Sequence, residues 1–197
     1  KEEKLTTMLK SGLMKLLRKG EKCPFEAGNY RPISLLSIFY KIGSGCITRR
    51  LETVMEKIVG PQQKAYSSTR NIGSILLNLL NMMDHVNKKK KESLLLLVDF
   101  KKAFDSINIK FIDSALELFN FGESFRKWVK LFFSGRKTYL LLHGYLGDSI
   151  NLEQGVPQGD VLSPYIFNIC LEILLLKICF TSTLTGVKFA SREARAE

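Results

Sequence analysis

Residues 94–107 read LLLLVDFKKAFDSI: five apolar side chains run into Asp99, and a second aspartate, Asp105, follows six positions later. Five consecutive apolar residues fit a central strand covered on both faces, and only length separates such a run from a short helix. A carboxylate at the mouth of that strand loses hydration, so a lysine, a backbone donor or a metal ion must replace the water. Two neighbouring carboxylates repel unless a cation neutralises them, which is the arrangement of a Mg2+ site for phosphoryl chemistry. Ordinary alternatives stand beside that one. Asp105 caps the next helix, or Asp99 pairs with Lys101 or Lys102. Spacing alone does not separate them.

Outward from this stretch, residues 4–19 have the apolar spacing of an amphipathic helix (Leu5, Met8, Leu9, Leu13, Leu16, Leu17). A Gly- and Pro-containing loop follows, then a mixed apolar segment expected to become helical from about Ser44. The polar break around residues 59–71 leads to a helix over Ile72–Val86, and Lys88–Lys91 reads as a solvated loop. Beyond the opening strand, Ile109–Phe119 and Glu123–Phe133 read as two helices, and 137–155 as a hairpin with glycines at its bends. Ser163 as N-cap with Pro164 in the first turn opens a last, mostly core helix. Helices, strand, helices, hairpin, helix is the order of an α+β fold rather than of alternating β-α-β units.

The chain of 197 residues carries 30 Lys and Arg against 19 Asp and Glu, and the excess is lopsided. Residues 1–98 hold 18 basic and 8 acidic side chains, residues 99–197 hold 12 and 11. A strongly basic half facing a carboxylate-bearing half suits a polyanion binder. Cys23, Cys46, Cys170 and Cys179 have no C-x-x-C spacing, and two distant histidines, His85 and His143, add nothing to them. Buried free thiols in a reducing compartment are expected rather than a zinc site. The apolar stretch Tyr165–Phe180 is broken by Asn168, Glu172 and Lys177 and reads as too polar and too short to span a bilayer. No signal peptide is visible and the first residue is Lys1, so the start of the chain is expected to be missing.

Two further clusters carry chemistry. QGVPQGDVLSP, Gln154–Pro164, places two Gln-Gly pairs around a proline at a helix start, where a backbone can approach a ligand and an anion is favoured. NYRPISLLSIFYKI, residues 29–42, offers Arg31 and Lys41 for phosphate and Tyr30 for stacking. Each alone also fits a plain loop.

In this order and spacing the three resemble the reverse transcriptases of non-LTR (LINE-type) retrotransposons. Residues 29–42 are similar to the family's first fingers motif, VDFKKAFDSI to palm motif A, and QGVPQGDVLSPYIFNICLEIL to motif B. The resemblance implies a right-hand polymerase with fingers over 1–92 and a partial, ferredoxin-like palm over 93–197. It implies that Asp99 binds both catalytic Mg2+ ions, with the Phe100 carbonyl on the second. Phe104 falls at the gate that excludes a 2′-hydroxyl, Arg31 and Lys41 at positions that touch template or triphosphate, and Gln158 and Gly159 at the turn holding the nucleotide. Asp105 is typical of the family, with a structural role as open as a catalytic one. The implied reaction is DNA synthesis from deoxynucleoside triphosphates on an RNA template with a DNA primer, inside the cell, in nucleus or cytoplasm, with no membrane partner.

The sequence departs from the family in one respect. The family's aromatic-x-Asp-Asp turn after motif B has no counterpart: the six aspartates (Asp84, Asp99, Asp105, Asp113, Asp148, Asp160) include no adjacent pair. The second metal-ligand set is therefore missing from this chain, and the fragment alone is expected not to polymerise DNA. Three readings compete: a non-catalytic nucleic-acid-binding remnant; an RNA-dependent RNA polymerase, disfavoured by the ring of Phe104; and a plain α+β domain with chance motifs, disfavoured by the pairing of motifs A and B.

Overall fold

Ser11–Arg18, expected to continue a helix, is instead the strand on which the sheet is organised. The computed structural model describes residues 7–64, 71–90, 92–189 and 192–193. After one helical turn, α1 (Thr7–Lys10), strand β1 (Ser11–Arg18) pairs antiparallel with β2 (Tyr30–Leu36), across a short 3-10 turn at Ala27–Asn29. The apolar spacing that suggests a helix is overridden by tertiary pairing. A glycine already weakens a helix there by about 1 kcal/mol, and at Gly12 an added Cβ would lie 3.3 Å from the Leu35 carbonyl of the neighbouring strand. The remainder of that expected helix, residues 4–6, lies outside the described residues.

Helix α2 (Ile38–Ile58) begins ahead of the expected start at about Ser44, because Ser37 caps it: the Ser37 hydroxyl accepts from the Tyr40 N–H. Helix α3 (Ile72–Lys89) is capped by Asn71 and exposes Ile72, Leu76, Leu77 and Leu80. It runs through Lys88 and Lys89, so those two lysines are helical rather than loop. Lys91 and 65–70 lie outside the described residues.

The stretch 94–98 is a further correction. It forms neither strand nor helix, and its side chains stand in solvent, Leu94 at 92% exposure. A central strand needs a neighbour on each edge, and among the described residues none pairs with it. The chain continues into the short helix α4 (Ala103–Ser106), then α5 (Ile109–Leu118) and α6 (Glu123–Phe133), close to their expected bounds.

The hairpin expected over 137–155 forms as β3 (Arg136–Leu142) and β4 (Tyr145–Leu152). Its two-residue turn, His143-Gly144, takes positive φ at both positions, as a tight hairpin matched to strand twist requires. β3 pairs parallel to β1, giving the order β2-β1-β3-β4. Helix α7 (Ser163–Phe180) follows, with Leu162 rather than Ser163 at the N-cap. By length and composition α7 does reach what a membrane span needs, which corrects the reading of Tyr165–Phe180. Its buried residues nonetheless include Asn168 and Glu172, polar groups set against protein. Two-residue strands β5 (Lys188–Phe189) and β6 (Arg192–Glu193) pair with each other.

The core lies among α2, α5, α6 and α7: Tyr40 and Leu51, Ile112 and Leu116, Val129 and Phe133, Ile166 and Ile169. Of the four cysteines only Cys170 is buried, and burial pushes its thiol up to about 12; Cys23, Cys46 and Cys179 are exposed. The expectation of buried thiols therefore fails for three of them.

Candidate functional site

The loop between β4 and α7 passes between α4 and β2 and is held on both sides by backbone. On the α4 side, the Gly155 N–H donates to the Ile107 carbonyl at 2.8 Å and the Val156 N–H to the Phe104 carbonyl at 2.7 Å. On the β2 side, the Ser34 N–H donates to the Gln158 carbonyl at 2.8 Å. The two glycines mark the tightest passages. Gly155 has φ +79°, and an added Cβ would stand 2.8 Å from the Asp105 carbonyl oxygen. Gly159 has φ +114°, and its Cβ would stand 2.9 Å from the Ser34 carbonyl oxygen. Only glycine combines those backbone angles with that approach.

Side chains complete the junction. Gln158 Nε2 donates to Asp105 Oδ1 at 2.9 Å. The Phe104 ring stacks on Phe167 of α7 with centroids 5.3 Å apart, and Phe100 meets the same ring edge-on at 6.3 Å. Asp105 therefore sits inside α4 and is tied to the loop; the cap of α5 is Asn108, whose Oδ1 accepts from the Lys110 N–H. An open hollow of about 360 Å3 lies beside the junction, lined by Ser34, Lys102, Asp105, Gln154, Gln158 and Arg136.

The sequence-selected residues thus divide. Phe104, Asp105, Gln158 and Gly159 come together, with Ser34 of the 29–42 cluster against them. Arg31 is exposed on β2 and Lys41 exposed in the first turn of α2. Asp99 lies on the exposed stretch 92–100 and pairs with neither Lys101 nor Lys102. Among the described residues no group of three or more His, Cys, Asp or Glu side chains is assembled as a metal site.

Two charged residues to which sequence reasoning gave no role are buried at the loop, Asp160 within it and Arg136 against it. Arg136 opens β3 and is 4% exposed; its Nη2 donates to the Gly155 carbonyl at 2.6 Å and its Nε to the Phe133 carbonyl at 3.1 Å. Burial lowers its affinity for the proton, opposed by Tyr40, Asp160 and Asp105 nearby. Asp160, also 4% exposed, has its carboxyl pushed up by burial, against the pull of the Ser44 and Ser163 hydroxyls and the Leu162 and Val161 N–H groups. The one sequence signal for Arg136 is a basic pair, Arg136-Lys137, between FFSG and an apolar strand, which by itself says little.

A family model described as "Reverse transcriptase (RNA-dependent DNA polymerase)" matches residues 17–181. The chain is 25% identical over 167 residues to the transposon TX1 uncharacterized 149 kDa protein of Xenopus laevis, covering 85% of this chain and 13% of that protein. It is 28% identical to the Pol polyprotein of the type-1 retrotransposable element R2 of Popillia japonica, covering 80% and 22%. It is 27% identical to the probable RNA-directed DNA polymerase from transposon X-element of Drosophila melanogaster, covering 80% and 18%. The chain thus spans less than a quarter of the length of these relatives. Among solved structures, apo telomerase from Candida tropicalis, truncated from the C-terminal domain, superposes with a TM-score of 0.53 at 15% identity. That match covers 88% of this chain and 40% of that one, and it is a likeness of fold.

Proposed function

The chain belongs to the reverse transcriptase (RNA-dependent DNA polymerase) family, related to the polymerases of non-LTR retrotransposons, and from that premise we propose that it is part of an RNA-directed DNA polymerase. Residues 1–92 serve as the fingers and 93–197 as part of the palm. The observation that carries this reading is the junction at Gln158, where the 154–164 loop meets both Asp105 and Ser34. All three sequence clusters meet there, as a nucleotide pocket between fingers and palm requires.

The partners in this reading are an RNA template, a DNA primer and deoxynucleoside triphosphates, met inside the cell in nucleus or cytoplasm. Gln158 and Gly159 face the nucleotide, and Phe104, whose ring is steadied by Phe167, limits the sugar. Arg31 and Lys41 take phosphate from template or triphosphate. Asp99 and the Phe100 carbonyl are the ligands offered to Mg2+.

The family is one of metal-dependent polymerases, and the residues described do not by themselves fit a two-ion site. Asp99 stands without a companion carboxylate cluster, and Asp105 Oδ1 is already taken by Gln158. The work assigned to this chain is accordingly binding and orientation. Primer extension on an RNA template with Mg2+ and deoxynucleotides tests it. The 197-residue chain is expected to give no product, whereas a longer protein containing it synthesises DNA and loses synthesis on Asp99→Ala. Robust extension by the short chain, or by the Asp99→Ala form of the long one, refutes the assignment.

A second reading, a non-catalytic nucleic-acid binder, is favoured by the net charge of +11. It expects binding whose affinity falls steeply with salt, tolerates any sequence and survives Asp99→Ala.

A further inference from the structure

We propose that Arg136 is a positioning residue whose buried guanidinium sets the conformation of the 154–159 turn, and through it the presentation of Gln158; the second clause rests on the functional reading above. An arginine that is 4% exposed has lost most of its hydration, a cost that its protein contacts must offset. Yet Arg136 makes no ion pair among the described residues. Its hydrogen bonds go to main-chain carbonyls: Phe133 at 3.1 Å, Gly155 at 2.6 Å and, more distantly, Gln154 at 3.4 Å.

Two of those carbonyls belong to the turn, and the N–H groups that follow them are bound elsewhere. Gly155 and Val156 donate to Ile107 and Phe104 of the α4 segment. The backbone from 154 to 156 is therefore gripped from opposite sides, by carbonyls of one segment and by the guanidinium of another. A planar fork can serve several acceptors at fixed angles, whereas an ammonium is a point charge. Two residues further on, Gln158 bridges Asp105 and Ser34, so displacement of the grip moves the group assigned to the nucleotide.

The test uses hydrogen exchange and amide NMR on the 197-residue chain, with Arg136→Met and Arg136→Lys. Both variants are expected to lose at least tenfold protection at Gly155 and Val156, with Ile112 and Val129 of the α5–α6 core unchanged. If Arg136→Met is too unstable to compare, Arg136→Lys decides, since it keeps the charge and removes only the fork. Native protection of the turn in Arg136→Lys overturns the proposal, and so does a loss spread equally over the core. In a second arm, the Gln158 side-chain amide is followed on addition of a deoxynucleoside triphosphate with RNA–DNA template–primer. A response present in the native chain and lost in Arg136→Lys supports the positioning role; a response of native size in that variant overturns it. No response in the native chain counts against the nucleotide reading alone, and the exchange arm still decides the grip.

Discussion

Gly155→Ala tests the passage of the loop past α4. Two costs follow from the geometry. At φ +79° an alanine pays the left-handed penalty of about 1–2 kcal/mol. Its Cβ would also stand 2.8 Å from the Asp105 carbonyl oxygen and 2.9 Å from the Asp105 Cα and the Phe104 carbonyl oxygen. Those are main-chain atoms, so α4 or the loop must shift, and overpacking of this kind costs about 1–3 kcal/mol. The whole effect is about 2–5 kcal/mol, against a total stability of roughly 5–15 kcal/mol for a domain. Gly20→Ala is the matched control: φ is +59° and nothing lies within 4 Å of the added atom, so only the backbone penalty remains. Urea unfolding of native chain, Gly20→Ala and Gly155→Ala measures both. Equal losses from the two substitutions would show that the loop is not wedged against α4, and the junction at Gln158 would lose its structural basis.

Glu172, 1% exposed, accepts from Gln63 Nε2 at 2.5 Å, so Gln63→Leu strips a buried carboxyl of a donor and costs roughly 1.5–3 kcal/mol. Adding Glu172→Leu recovers part of that loss in a urea double-mutant cycle; strictly additive losses would count against the coupling. Arg126 binds both Asp113 oxygens, at 2.9 and 3.1 Å, and the hydrogen bond holds the Asp113 carboxyl below its ordinary 3.8. A carboxyl lowered in the folded state contributes above its unfolded pKa and ceases to as pH falls through the folded one. The Tm gap between native and Arg126→Met should therefore be full at pH 7 and close in acid, below about pH 4; a gap independent of pH rejects this. Leu96→Lys, in the exposed 94–98 run, should delay aggregation measured by light scattering without lowering Tm, and unchanged aggregation would clear that run as its cause.

Legibility in the sequence follows the range of the forces involved. The helices α5 and α6 and the β3–β4 hairpin were readable because their periodicity and turn residues act locally. β1 was not, since Leu13, Leu16 and Leu17 satisfy helical spacing and only β2 and β3 decide otherwise. The run 94–98 reads as a strand from composition, but a strand requires neighbours that no composition reports. At the site, Asp105, Gln158 and Gly159 were legible through the resemblance of their motifs. Arg136 was missed for a physical reason: its partners are carbonyls of residues 133, 154 and 155, and backbone atoms leave no mark in a sequence.

The pairing of β1 with β3 has a consequence in time. Thr138 Oγ1 donates to the Gly12 carbonyl across 126 positions of chain, with the parallel ladder formed alongside it. A ribosome adding about 5–20 residues per second needs roughly 6–25 s to cover that interval. The β1–β2 hairpin is complete once Leu36 has been added, so it waits on its own for the last 102 of those positions, roughly 5–20 s at the same rate, and an isolated two-stranded hairpin is marginally stable at best. Substitutions on β1 should therefore be felt first in how much protein is recovered from a cell, before any change in the stability of what is recovered.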